Sequence, residues 1–137
     1  MGKVFIDTNV VVYANDRADA ARQERAINLV SEAIRTGTGV ISTQVLLEYA
    51  AVATRKLGQS RDAVTRQLFV LERLEVVPVT GTTIRNALEL SERYIISIWD
   101  ATIITAAQTA RCDTIWSEDL SADQYYGGVV VRDPFST

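Results

Sequence analysis

Histidine is absent from this 137-residue chain, and cysteine occurs once, at Cys112. Without histidine there is no Ser-His-Asp triad, no Cys-His pair and no imidazole-held zinc. A single thiol makes neither an internal disulfide nor a multi-thiolate metal site, and it suits a reducing, cytoplasmic setting. Long apolar runs are missing too. The longest uncharged stretch, Thr36 to Leu47, is well short of the roughly 20 residues that a spanning helix needs. The N-terminus offers Lys3 and then Val4, Phe5, Ile6 and Asp7, which lacks the length and cleavage site of a signal peptide. No membrane association is expected. Any catalytic metal must then be held mainly by oxygen, which selects hard ions such as Mg²⁺ or Mn²⁺.

What is present is a globular composition, 47% hydrophobic and 23% charged, with enough length for one domain, residues 1–137, and a real core. The net charge of −3 argues weakly against unaided nucleic-acid binding. The positive charge is almost all arginine, twelve against two lysines, and arginine forks suit phosphate and carboxylate recognition. Most of these arginines are expected on solvated helix faces. Apolar spacing predicts a strand through Ile6 and a turn into a helix, then a helix from Ala18 to Arg35 ended by Gly37 and Gly39. A strand from Gly39 to Thr43 follows, with Thr43 capping a helix to Leu57. Ser60 opens a further helix with Val64, Leu68, Leu71 and Leu74 on its apolar face. Glu75 to Thr80 reads as a strand, whose Pro78 suggests an edge or a strand end. Helices are expected over Thr82–Tyr94 and from a Ser97 cap to about Arg111, and strands over Thr114–Ser117 and Val129–Arg132. This alternation implies an α/β fold, with a mostly parallel sheet covered by helices on both faces.

In such a sheet, the C-terminal strand ends and the N-terminal ends of the following helices share one edge, where ligands bind. Asp7 ends the first strand, and Asp119 lies just past Thr114–Ser117. Asp100 is in the first turn after Ser97, and Glu48 is little more than a turn into the helix after Thr43. All four carboxylates therefore map to one edge. Glu48 is the only charge between Val45 and Ala53. Asp100 heads the apolar stripe Ile103, Ile104 and Ala107, opposite a polar side of Thr102, Thr105, Gln108 and Thr109. A charge turned toward a core costs several kcal/mol, roughly, unless something compensates it. Taken singly, each acid has an ordinary explanation. Asp100 completes a capping-box-like pattern with Ser97, Asp7 suits a turn, Asp119 beside Glu118 and Asp123 suits a loop, and Glu48 could pair with Arg55. Together they form a cluster whose repulsion a divalent cation would relieve. Hydrolysis of a phosphodiester by metal-activated water is the chemistry best matched to such a histidine-free site.

The stretches Phe5–Asn9, Leu47–Glu48, Ser97–Ile104 and Trp116–Leu120 resemble the PIN domain, and more closely the VapC-type toxins of bacterial toxin–antitoxin pairs. The resemblance covers nearly the whole chain in length, motif order and spacing. It implies a Rossmann-like three-layer α/β/α sandwich, a Mg²⁺- or Mn²⁺-dependent ribonuclease, a homodimer and a small cognate antitoxin protein as inhibitor. Carried over by motif, Asp7, Glu48, Asp100 and Asp119 would be the catalytic metal ligands, with Thr8, Asn9 and Ser117 orienting water or carboxylates behind them. The chain departs from the pattern at Ser121 and Ala122, where many relatives carry another acid. Glu118 and Asp123 are the candidates to share the role of Asp119.

The leading expectation is an endoribonuclease acting on RNA, with Arg55, Lys56, Arg61, Arg66 and Arg73 as candidates for holding the backbone. An alternative is a non-catalytic module of the same fold that binds RNA or protein through an idle metal site. A phosphoacceptor receiver domain also gathers acids at this edge, but it needs a late lysine, and the last one here is Lys56. Leu46, Leu47 and Tyr49 are candidates to line a groove for an antitoxin helix or strand, with ordinary core packing as the standing alternative. Trp99 and Trp116 are expected to pack in the core.

Overall fold

A computed structural model describes residues 2–136. Its elements run β1 (Lys3–Ile6), α1 (Thr8–Ala14), α2 (Ala20–Thr36), β2 (Gly39–Ser42), α3 (Thr43–Arg55) and α4 (Arg61–Leu71). Then follow β3 (Glu75–Val77), α5 (Gly81–Tyr94), α6 (Ile98–Thr109), β4 (Cys112–Trp116), β5 (Tyr125–Tyr126) and β6 (Val129–Arg132). The sheet order is β3-β2-β1-β4-β6-β5, parallel except for β5. Chain order steps outward from β1 to β2 to β3, then jumps back across β1 to β4. Right-handed crossovers therefore send α1–α4 to one face and α5–α6 to the other. The packing agrees: α1 lies on α2 and α3, α3 lies on α4, and α5 and α6 pack together, with α6 touching β2, β4 and β6. The architecture is the three-layer α/β sandwich expected.

The central strands are covered on both faces, so they read as continuous apolar runs rather than alternating ones. Phe5, Ile6, Val40, Ile41 and Ile115 are fully buried. Helix α6 is buried almost all round, and this corrects the expected polar side. Thr102 and Thr105 are core residues whose hydroxyls donate to the carbonyls of Ile98 and Ala101 one turn back. Gly37, in the left-handed region at φ 70°, ends α2. Gly39 does a different job from the helix stop expected of it. It opens β2, where a Cβ would lie 2.4 Å from Leu74 Cδ2 and 2.6 Å from Ala33 Cβ.

Two further differences are local, and one local expectation holds. Ser42, not Thr43, caps α3, its Oγ accepting from the Val45 amide at 3.4 Å, while the Thr43 hydroxyl accepts from the Val79 amide. Pro78 directly follows β3, which is an edge strand, as its proline suggested. The two-residue β5 was not anticipated, because a short antiparallel edge reached through Gly127 and Gly128 carries almost no periodic signal.

Candidate metal-binding site

The strand order reverses between β1 and β4, and the crevice at such a point is where open α/β sheets bind ligands. In the ladder Ile6 faces Trp116, and the Asp7 amide donates to the Trp116 carbonyl at 3.0 Å, so Asp7 and Ser117 leave the sheet side by side. Asp7 is the N-cap of α1 and is only 7% exposed. Its Oδ1 accepts from the Thr8 amide at 2.7 Å, and its Oδ2 from the Ser117 hydroxyl at 2.8 Å and Asn9 Nδ2 at 3.2 Å. Ser117 is fully buried, and its Oγ also accepts from the amides of Asp119 and Leu120, both at 3.1 Å. Asn9 spans the remaining gap. Its Oδ1 accepts from the Glu118 amide, which fixes the amide's orientation, and its Nδ2 reaches Asp119 Oδ2 at 3.3 Å.

Glu48 arrives from α3 on the same side. Its Oε1 accepts from the Thr8 hydroxyl at 2.6 Å and its Oε2 from Gln44 Nε2 at 3.2 Å. Among the described residues no arginine pairs with it, in contrast to the pairing with Arg55 that its sequence allowed. Asp100 stands half-buried in the first turn of α6, where the Ser97 hydroxyl accepts from its amide at 3.0 Å. The charges of Asp119 and Glu48 act on both Asp7 and Asp100. Burial pushes the Asp7 carboxyl up to about 6, Ser117 and Thr8 partly oppose that, and the charges of Asp119 and Glu48 add to it. Burial likewise raises Asp100, with the Ser97 hydroxyl opposing and Asp119 and Glu48 again adding. Among the described residues none of the four acids is in an ion pair with a lysine or arginine.

The neighbouring acids are committed elsewhere. Glu118 accepts from the Tyr13 hydroxyl at 2.8 Å and from Arg22 Nε at 2.9 Å. Asp123, with a φ of 65°, faces Arg132 at 3.5 Å. Among the described residues no three acidic or cysteine side chains already form a set arranged to hold a metal ion. The carboxylates turn toward hydroxyls and amides instead. In chemistry, however, the donor set fits a hard divalent cation: oxygen donors only, mutually repelling, and among the described residues in no ion pair.

Several flanking expectations change. Of the five basic candidates, Arg55 and Lys56 line a groove of about 470 Å³ together with Glu48, Asp119, Thr8 and Asn9, while Arg61, Arg66 and Arg73 do not line it. Tyr49 is fully buried with its hydroxyl on Gln59 Oε1, so it cannot line a docking groove; Leu46 is half-buried and Leu47 is exposed. Trp116 packs against the core, but Trp99 is 65% exposed, which corrects the expectation of core packing. As the second residue of α6, it projects its side chain outward while its carbonyl turns in to accept from Gln44. Gln44 itself was missed. Its position one turn before Glu48 was the available signal, but a lone glutamine in a helix is ordinarily a surface residue.

A family model described as "PIN domain" matches residues 4–128. No curated protein matches the chain in sequence. Among solved structures, a chain of a toxin–antitoxin complex from Klebsiella pneumoniae is 18% identical with a TM-score of 0.71, covering 98% of this chain and 100% of that one. VapC20 of Mycobacterium tuberculosis, described as a sarcin-ricin loop cleaving toxin, is 24% identical with a TM-score of 0.69, covering 85% and 92%. A VapBC2 chain from Rickettsia felis, bound to a promoter DNA fragment, is 20% identical with a TM-score of 0.66, covering 95% and 97%. At these identities the likeness concerns the fold.

Proposed function

Because the chain belongs to the PIN domain family, we propose that it is a metal-dependent endoribonuclease, the toxin of a toxin–antitoxin pair acting in the cytoplasm. The observation that carries this reading is the gathering of Asp7, Glu48, Asp100 and Asp119 at the strand-order reversal, where among the described residues none of the four is in an ion pair with a lysine or arginine. Asp7, Glu48, Asp100 and Asp119 would hold Mg²⁺ or Mn²⁺. When bound, such an ion supplies water of lowered pKa and stabilises charge on a phosphoryl oxygen. The chain's own residues do the rest. Ser117 and Asn9 keep the Asp7 carboxylate aimed along one direction, and Thr8 does the same for Glu48. Arg55 and Lys56, in the groove beside Glu48 and Asp119, offer phosphate contacts where the net charge of the chain does not.

The fold likeness to chains from toxin–antitoxin complexes supports a protein partner. An antitoxin arginine entering the acidic groove would satisfy the uncompensated charge, and exposed Leu47 offers an apolar contact on the same helix as Glu48. A homodimer is part of the same proposal.

The deciding experiment is RNA cleavage with and without EDTA, beside Asp7→Asn and Asp100→Asn. Removing the ion, or one carboxylate, is expected to lower the rate on the order of 10²–10³-fold, the equivalent of roughly 3–4 kcal/mol of transition-state stabilisation. Equal cleavage in every sample would sink the reading.

A further inference from the structure

Gln44 stands in the first turn of α3, nine-tenths buried and one turn before Glu48. Both hydrogens of its Nε2 are spent, one on Glu48 Oε2 and one on the main-chain carbonyl of Trp99, each at 3.2 Å. Both partners only accept, so the amide cannot be turned round. Exchanging N and O would set a carbonyl oxygen against a carboxylate and another carbonyl. The remaining atom, Oε1, is buried and receives no hydrogen bond; among the described residues it is the only such buried side-chain atom. Buried acceptors without donors are selected against unless the arrangement returns something.

What it returns is a tie between the two helical layers. Glu48 belongs to α3, on one face of the sheet, and the Trp99 carbonyl belongs to the first turn of α6, on the other, directly before Asp100. One amide thus holds a carboxylate from the first layer and the backbone that carries a carboxylate from the second. An apolar residue at this place would fill the space without leaving an orphan, but it would hold neither.

We propose that Gln44 is a positioning residue that fixes the spacing between Glu48 and Asp100 for a divalent cation, at the expense of its own unsatisfied oxygen. This rests on the metal-dependent reading above. The test is Mn²⁺ titration of the folded protein, with the melting temperature of the metal-free form measured alongside. Gln44→Met keeps the length and apolar stem but loses both hydrogen bonds and the orphaned oxygen. Its Mn²⁺ Kd is expected to rise 10–100-fold, the range for residues that orient ligands from behind, while its metal-free Tm stays level or rises. Gln44→Asn, too short to span both partners, should weaken Mn²⁺ to a similar degree if Gln44→Met does not fold. A purely structural glutamine would show the reverse, a lowered Tm with Mn²⁺ affinity unchanged. A rise in Kd short of tenfold in the folded variants overturns the role of Gln44 alone. Failure of the unsubstituted protein to bind Mn²⁺ overturns the metal reading together with it.

Discussion

The acidic cluster has two halves built on different terms. At the β1/β4 corner, Asp7 is nearly inaccessible, takes three hydrogen bonds, and is locked to a fully buried serine that also holds the backbone of Asp119 and Leu120. At the α3/α6 corner, Glu48 and Asp100 are half-buried and come from helices on opposite faces of the sheet. There the ties are single side chains, Thr8 and Gln44. The first half is preset by the sheet, because adjacent parallel strands deliver their C-terminal residues to fixed places. The second is set by side chains, so it can be altered without disturbing the fold. Such a division lets a site be rigid where the backbone turns and adjustable where a ligand must be gripped.

The largest consequence falls on Asp7. Its ordinary value is 3.8, and burial has raised it to about 6. Between these values the folded state binds more protons than the unfolded chain, so stability is full below about 4 and falls as pH rises through about 6. The loss amounts to about 3 kcal/mol for a shift of this size. Melting measured in EDTA from pH 4 to 8 should therefore decline, and Asp7→Asn should remove most of that decline while Asp100→Asn removes less. An identical pH slope in the unsubstituted protein and Asp7→Asn would break the distinction between the halves. Divalent cation added at pH 8 should restore stability in the unsubstituted protein only.

Next in size is Ser117→Ala. It removes the hydroxyl that donates to Asp7 Oδ2 and leaves two amides without their acceptor. In a buried network the cost is about 2–3 kcal/mol, a drop in Tm on the order of 10 °C for a chain of this size. Because Ser117 holds the Asp7 carboxyl down against burial, the same substitution should also steepen the pH dependence described above. A Tm within 2 °C of the unsubstituted protein, roughly the smallest shift one lost hydrogen bond would give, would mean that the corner is not the rigid half.

This division also explains what could be read from the sequence. Strand ends and helix starts follow from apolar periodicity and caps, so the shared edge of Asp7, Glu48, Asp100 and Asp119 was legible without coordinates. The sheet topology beyond alternation was not, and neither was β5, whose two residues give no period. Side-chain direction was the weak point. Tyr49 and Trp99 are both aromatic residues beside an acid, yet Tyr49 is fully buried and Trp99 is 65% exposed. The difference lies in which way each helix face turns toward its neighbours, a tertiary property. Gln44 was invisible for the same reason, since its partner Trp99 is 55 residues away in sequence.

The smallest predicted effect is the one that best separates the halves. Thr8→Val keeps the shape of the side chain and the backbone amide that caps onto Asp7 Oδ1, and it deletes only the hydroxyl that reaches Glu48 Oε1 at 2.6 Å. Glu48 is half-exposed and retains Gln44, so water can replace the lost donor. The expected change in stability is therefore below about 1 kcal/mol, despite the short distance and the charge on the acceptor. The carboxylate nevertheless loses one of the two groups that aim it, and Mn²⁺ affinity should fall about tenfold. Differential scanning fluorimetry in EDTA and Mn²⁺ titration on the same preparation read the two effects independently. A destabilisation equal to that of Ser117→Ala would show that the α3/α6 corner is as tightly built as the β1/β4 corner, and the contrast between them would not stand.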